Sequence, residues 1–389
     1  MKKVKLGDVC KIQSGGTPSR GNLNYWNNGN IPWVKISDIK EKHLSRTEEF
    51  ITQEGLANSS AKIFPKETIL YTIFATLGEV SILEIEATTN QAIAGLQIID
   101  ENICKDYLYY YLISLKPFVN EIGRGVAQNN INMQILRNFE IPLPSLEEQK
   151  AIARKLDKVS GLIEKRKTQL EKLSELVKSR FIELFGDPVK NDMDWKTTLL
   201  KNATSKIGSG ATPKGGKESY QEEGITLIRS MNVHDGRFEY KDLAHITDEQ
   251  AEQLDNVTVK ENDVFINITG ASVARSCIVP NHILPARVNQ YVAIIRCITS
   301  MLNPVFANNM FLNTSFKGQL LNIGESGGAT RQAITKQQLE TLEVILPPIE
   351  SQEQFATFVE QTDKSKFEIQ KSLEKLEILK KSLMQQYFG

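Results

Sequence analysis

Amide and guanidinium side chains recur at matching places in the two halves of this sequence. Asn90-Gln91 returns as Asn289-Gln290. Ser14-Gly15-Gly16-Thr17-Pro18 returns as Ser209-Gly210-Ala211-Thr212-Pro213, with Lys214 directly after it. Each half also carries a polar loop: Arg124-Gly125-Val126-Ala127-Gln128-Asn129-Asn130-Ile131-Asn132 in the first and Ser326-Gly327-Gly328-Ala329-Thr330-Arg331-Gln332 in the second. Asn and Gln can bond adenine through two hydrogen bonds, and Arg or Lys can bond guanine. Ser, Thr and backbone N–H groups suit phosphate oxygens. The pattern nominates Ser14, Gly15, Thr17, Asn90, Gln91, Arg124, Gln128, Asn129, Asn130, Ser209, Gly210, Thr212, Lys214, Asn289, Gln290, Arg331 and Gln332 as DNA contacts. For the Ser-Gly-x-Thr-Pro turns a plainer reading competes, with glycine supplying a positive φ and Thr-Pro stopping a strand.

Catalytic and metal chemistry find no matching pattern, so the expectation is a chain with no catalytic and no metal residues. A phosphate-cradling loop requires Gly-x-x-x-x-Gly-Lys-Ser/Thr. The stretch from Gly208 to Lys217 misses that spacing, places Glu218 where the hydroxyl is needed, and puts Pro213 where a free N–H is needed. There is no Gly-x-Ser-x-Gly elbow, no Gly-x-Gly-x-x-Gly loop and no amino-methyltransferase signature. Ser230, His234 and Asp235 fall close together, but the first half has Ile36 at the place of Ser230. Cys10, Cys104, Cys277 and Cys297 are widely spaced and read as reduced, buried thiols. His43, His234, His245 and His282 form no metal-ligating pair.

Composition narrows the class further. The 389 residues include 47 Lys+Arg and 47 Asp+Glu, and 40% are hydrophobic. That balance excludes a disordered chain, and no apolar run approaches a bilayer span. The first residues lack the apolar core of a signal peptide, so a cytoplasmic protein without a membrane partner is expected. Proteins that grip DNA through phosphate neutralisation are usually basic. Here the chain through Gly186 holds 25 Lys+Arg and 22 Asp+Glu, and the remainder holds 22 and 25. Other chains are therefore expected to supply much of the electrostatic grip.

The elements that must position these residues repeat with them. Ile31-Pro32-Trp33-Val34 aligns with Ile225-Thr226-Leu227-Ile228, and Ile141-Pro142-Leu143-Pro144-Ser145-Leu146-Glu147-Glu148-Gln149 aligns with Val344-Ile345-Leu346-Pro347-Pro348-Ile349-Glu350-Ser351-Gln352. Phe185-Gly186 matches Phe388-Gly389. The chain is thus two copies of one unit, each a mixed α/β globule followed by a long helix. The expected organisation is residues 1–145, a first recognition globule; 146–186, a central helix; 187–346, a second globule with a short linker at its start; and 347–389, a C-terminal helix. Thr68 to Phe74 and Asp263 to Ile268 look like strands, Tyr107 to Ser114 like a short helix, and Gly21 to Asn30 like an exposed loop.

Apolar residues at alternating steps of four and three mark one helix seam: Ile152, Leu156, Val159, Ile163, Leu170, Leu173, Val177 and Leu184. Phe355, Val359, Ile369, Leu373, Leu376 and Leu383 mark the other. Polar Arg166, Arg180, Thr362, Lys366 and Lys380 interrupt them. A long helix with one apolar stripe needs a partner. Its own copy, in an antiparallel coiled coil with a pseudo-twofold relation between the repeats, is the favoured one. Packing of each helix on its own globule is the blander alternative.

Tandem α/β modules of this kind, opening near Ile-x-Ser-Gly-x-Thr-Pro and closing with Ile-Pro-Leu-Pro-Ser-Leu-Glu-Glu-Gln before a long helix, resemble the specificity subunits of type I restriction–modification systems. The resemblance runs through the full chain. It implies two target recognition domains, each reading one half of a split, asymmetric sequence in double-stranded DNA. It implies an antiparallel coiled coil that sets the spacer and docks two methyltransferase (modification) subunits, with motor/nuclease (restriction) subunits joining that core. Such a subunit is non-catalytic, and S-adenosylmethionine, ATP and Mg would belong to its partners. The second copy departs from the closing motif with Pro347-Pro348-Ile349-Glu350-Ser351-Gln352. A scaffold that binds proteins through its helices without reading DNA, and an enzyme without a recognisable motif, remain the alternatives.

If Gln128 or Arg331 reads a base, Gln128→Ala or Arg331→Ala relaxes one half-site only, at a cost of about 1–3 kcal/mol. Binding titrations against duplexes altered in one half at a time check this. Equal loss on unrelated duplexes would assign the residue to phosphate instead.

Overall fold

The computed structural model describes residues 3–124, 130–213, 215–325 and 332–389. It divides into two compact units, Met1–Lys167 with Lys371–Gly389, and Thr168–Gln370. The division cuts through both long helices, Leu146–Phe185 and Ile349–Phe388.

The first unit is built on a five-stranded sheet ordered Cys10–Ser14, Ile93–Ile98, Ile69–Thr72, Val80–Leu83 and His43–Leu44. The expected strand around Thr68 to Phe74 is the third of these. Its four residues Ile69, Leu70, Tyr71 and Thr72 are all buried, which is what a strand covered on both faces requires. Alternation then sorts them: Ile69 and Tyr71 join the core under the helix Lys105–Ser114, whereas Leu70 joins Val34, Phe64 and Ile93 on the opposite face. A three-stranded sheet, Glu49–Ile51, Ile31–Val34 and Thr88–Thr89, lies on that second side. Lys3–Lys5 pairs antiparallel with Glu140–Pro142 and closes the unit just before the long helix.

The second unit repeats the plan. Its main sheet runs Thr204–Ser209, Val292–Cys297, Val264–Asn267 and Ser276–Ile278, and its smaller sheet runs Ala244–Ile246, Ile225–Ile228 and Ala286–Val288. Thr197–Leu199 pairs with Glu343–Ile345 as the closing ribbon. Val264 and Ile266 face one core and Phe265 the other, as in the first unit. The copies differ at one edge. The first adds the strand His43–Leu44, and the second instead carries a separate hairpin of Val233–His234 and Arg237–Phe238.

The closing motif acts as a clamp at the start of each long helix. Ser145 and Glu148 form a reciprocal cap, with the Glu148 carboxylate accepting from the Ser145 N–H (2.9 Å) and hydroxyl (2.8 Å). Gln149 is fully buried. Its Oε1 accepts from the Cys104 N–H (2.8 Å), and its Nε2 donates to the carbonyls of Asn102 (2.9 Å) and Pro144 (3.0 Å). Gln352, equally buried, does the same: Oε1 accepts from the Asn303 N–H (2.9 Å), and Nε2 donates to Met301 O (3.1 Å) and Pro347 O (2.8 Å).

All fourteen seam residues are buried or half-buried. Within the first unit the helices pair directly. The Lys155 ammonium donates to the Tyr387 hydroxyl at 3.3 Å. Burial lowers the pKa of Lys380, and the charges of Lys167 and Glu164 act on it from the facing helix. Residue numbers fall on one helix as they rise on the other, which is antiparallel pairing. Packing on the globule accompanies the pairing: Ile152 and Leu156 of the first helix meet their own globule, while Leu383, Met384 and Phe388 of the C-terminal helix meet the globule of the other copy. In the second unit Phe181 and Phe185 meet Phe355 (both centroid distances 5.6 Å) and Phe306 of the globule (5.4 and 4.8 Å). No helix among the described residues is long and apolar enough to cross a membrane.

The clamp predicts that Gln149→Ala destabilises the protein by about 2–4 kcal/mol, because buried donors and acceptors on Cys104, Asn102 and Pro144 lose their partner. Glu147→Ala, on the exposed side of the same turn, changes stability by about 0.5 kcal/mol or less. Urea denaturation of the two variants measures the difference.

Candidate nucleic-acid interface

Ser14 ends the first strand opposite Ala94, and the chain then turns tightly across the strand beside it. Gly15 N–H donates to Ile93 O (3.1 Å), and Gly16 N–H donates to Thr89 O (2.8 Å). A Cβ on Gly15 would stand 2.3 Å from Thr89 O and 2.4 Å from Asn90 O. The second unit makes the same close approach through a different acceptor, since Asn289 stands at the place of Asn90 and not of Ile93. Gly210 N–H donates to Asn289 O at 3.1 Å, and a Cβ there would stand 1.8 Å from Val288 O. Neither Gly15 nor Gly210 has a positive φ, so the expected reason for these glycines is replaced by another: two backbones approach too closely for any side chain.

The Asn-Gln pairs meet these turns. Asn90 N–H donates to Val34 O (3.0 Å), and its Oδ1 accepts from the Ala92 N–H (3.0 Å). Asn289 N–H donates to Ile228 O (3.0 Å), and its Oδ1 accepts from the Tyr291 N–H (3.0 Å). The neighbouring glutamines face outward. Thr17 donates its hydroxyl to Gln91 Oε1, and Thr212 donates to Gln290 Oε1. The nominated residues thus separate into two groups. Gly15, Gly210, Asn90 and Asn289 bond to their own backbone, while Thr17 with Gln91, and Thr212 with Gln290, form a polar pair at the surface of each unit. Ser14 and Ser209 are half-buried at their strand ends.

The second set of loops is described in part. Arg124 closes the helix Lys116–Arg124. Asn130 bridges to Phe74, and Asn132 caps the helix Met133–Arg137. Gln332 Nε2 donates to the Glu325 carboxylate at 2.8 Å. Gln128, Asn129, Lys214 and Arg331 lie outside the described residues. The Ser230, His234 and Asp235 trio does not assemble: Asp235 pairs with Lys317, and His234 lies 3.5 Å from Arg275.

Sequence reasoning missed a cluster beside the first turn. The Arg20 guanidinium lies 3.6 Å over the Trp26 ring and 4.7 Å from that of Trp33. The two indoles meet edge to face at 5.0 Å, and Trp33 Nε1 donates to Gly16 O at 3.0 Å. Glu49 pairs with both Arg20 and Lys35, and Lys35 also pairs with Glu48. The Arg20 hydrogen bond holds the Glu49 carboxyl below its usual range, and Lys35 does the same for Glu48. The signal available in the sequence was Trp26 inside the loop expected to be exposed and Trp33 just after it. In the second unit Leu227 and Ala244 take the paired places of Trp33 and Glu49, and Arg229 lies 5.4 Å from the Tyr220 ring.

The thiols offer no reactive nucleophile among the three that are buried. Burial pushes Cys10, Cys277 and Cys297 up to about 12, so each stays protonated. Among the described residues no group of His, Cys, Asp and Glu is placed to hold a metal ion.

A family model described as the type I restriction modification DNA specificity domain matches residues 1–174 and 194–380. The chain belongs to this family. Its two matches coincide with the two repeats. The MjaIX type I restriction enzyme specificity subunit of Methanocaldococcus jannaschii is 36% identical over 201 residues, 49% of this chain and 45% of that one. A second relative, from Escherichia coli, is 31% identical over 165 residues, 40% of each chain. The matched stretches therefore span less than half the length of these two relatives. The EcoBI specificity subunit of Escherichia coli is 22% identical over 385 residues, 92% of this chain and 78% of its own. The crystal structure of the S subunit from M. genitalium has the same fold, with a TM-score of 0.60 at 15% identity over 100% of this chain and 96% of that one.

Within this specificity-domain architecture the turn glycines report directly on the close strand approach. Gly210→Ala is expected to cost about 1–3 kcal/mol, because the Val288 carbonyl must move. A Cβ on Gly208, two residues earlier, meets nothing within 4 Å, so Gly208→Ala is expected to change stability by about 1 kcal/mol or less, with either sign. Thermal melts of both variants check this.

Proposed function

We propose that this chain is the non-catalytic DNA-reading subunit of a type I restriction–modification complex. Each unit reads one half of a split, asymmetric target in double-stranded DNA. The observation that carries this reading is the duplicated plan with divergent faces: two copies of one sheet, turn and Thr–Gln pair, with Trp33 and Glu49 beside one and Leu227 and Ala244 beside the other. One scaffold repeated with different surface chemistry suits a protein that must place two readers and give each a different base preference.

The long helices set the number of unread base pairs and dock two methyltransferase subunits. Apolar side chains that remain exposed along them, including Leu162, Leu176, Ile182 and Ile378, support that role, since exposed apolar stripes on a helix mark a protein contact. Motor/nuclease subunits join this core. S-adenosylmethionine, ATP and Mg are bound by those partners, and the complex works in the cytoplasm.

Methylome sequencing of cells expressing the chain with its methyltransferase partner tests the reading. The expected result is a split methylated motif. Exchange of residues 1–145 for another such module changes one half of it, and exchange of residues 193–346 changes the other. A motif unaltered by both exchanges would refute the assignment.

A further inference from the structure

We infer that Gln91 and Gln290 are matched phosphate contacts, one in each unit, each oriented by a threonine, and that base reading is done by the residues that differ around them. The inference rests on the DNA-reading function proposed above. A glutamine amide has one accepting oxygen and two donating N–H bonds. Thr17 and Thr212 occupy the accepting oxygens with their hydroxyls. This turns each Nε2 into the free end of the group, and it has no protein acceptor among the described residues. Gln91 is exposed and Gln290 half-buried, so each pair presents donors to the outside. Donors facing out suit an acceptor-rich ligand, and the phosphate oxygens of a duplex are one.

Choice between phosphate and base follows from the repeat. Duplex DNA offers the same backbone at every sequence and different base edges at each. A chain with two readers of different half-sites should therefore repeat its backbone contacts and vary its base contacts. The Thr–Gln pair is repeated along with the asparagine that supports it. In both units the asparagine before the glutamine caps the loop with its own Oδ1, and its N–H is held by the end of the neighbouring strand, at Val34 O or Ile228 O. The Arg20–Trp26–Trp33–Glu49 cluster, joined to the same turn through the Trp33 bond to Gly16 O, is not repeated.

The test uses the chain assembled with its methyltransferase partner, titrated onto its methylation target and onto unrelated duplexes over a range of salt. For Gln91→Ala and for Gln290→Ala we expect about tenfold weaker binding on every duplex, and about hundredfold for the double variant. The salt slope stays unchanged, because a neutral amide releases no counterion. Gln91→Lys strengthens binding to every duplex and steepens the slope of log K against log salt by about 0.9. The methylated motif and the melting temperature of all these variants match the parent. Relaxation of one base position would make the glutamine a base reader and overturn the inference. Unchanged affinity with a lowered melting temperature would make the pair a turn lock and overturn it as well. If the parent complex itself methylates no split motif, the proposed function fails rather than this assignment.

Discussion

A carboxamide sealed from water stands at the start of each long helix, and the rest of each unit is arranged to satisfy it. Leaving any of the three bonds of Gln149 unmade would strand a buried polar group, a cost far above the net value of the bond itself. The loop that carries Asn102 and Cys104 must therefore sit against the first helical turn. That loop leads directly into Lys105–Ser114, so the position of the sheet-covering helix is fixed with it. Tyr107 and Tyr111 complete the joint by donating to Pro142 O (2.8 Å) and Glu140 O (2.6 Å), on the closing strand just before the long helix. Gln352 imposes the same arrangement on Met301, Asn303 and the helix Pro304–Leu312. Apolar packing supplies most of the stability, but it is non-directional. The glutamines supply the direction in which each helix leaves its globule.

The seam residues then have a defined job. Once the helix leaves at a fixed angle, its stripe divides between two tasks within a single unit. Leu156 lies in the globular core beside Tyr107 and Tyr110, while Lys155 on the next face meets Tyr387 of the other helix. Each helix is thus both a wall of the globule and half of a pair. The exposed apolar side chains that this leaves over, Ile378 among them at 69% exposure, satisfy neither task.

The repeat, the strands around Thr68 and Asp263 and the heptad frame were legible in the sequence because each is a local or periodic signal. The clamp was legible only as a repeated motif: Gln149 bonds to a residue 45 positions away and Gln352 to one 49 away, and no spacing rule reaches so far. Thr17 and Gln91 were each nominated, but their bond spans 74 positions and only the fold brings them together. Phe181 fell outside the four-three frame because its neighbour Phe306 belongs to the globule, so its placement answers to a core and not to a coiled-coil seam. The plainer reading of the turn glycines invoked positive φ because a sequence shows a tight turn but not the strand lying against it.

Under the proposed function, charge on the first unit lets the chain discriminate without gripping. Arg20 and Lys35 belong to the cluster that joins the first turn through the Trp33 bond to Gly16 O. Both are already met by carboxylates, Glu49 for Arg20 and Glu48 with Glu49 for Lys35. A cation neutralised by its own protein releases few counterions from DNA, so it adds little to the sequence-independent part of binding. What it retains is geometry: a guanidinium held 3.6 Å over the Trp26 ring keeps a planar set of donors in place at small entropic cost. Lowering the non-specific term while keeping directional donors widens the ratio of specific to non-specific binding, and that ratio is what a reader of short half-sites needs. The balanced net charge follows from the same logic, and in the proposed complex the remaining grip on DNA comes from the partner subunits.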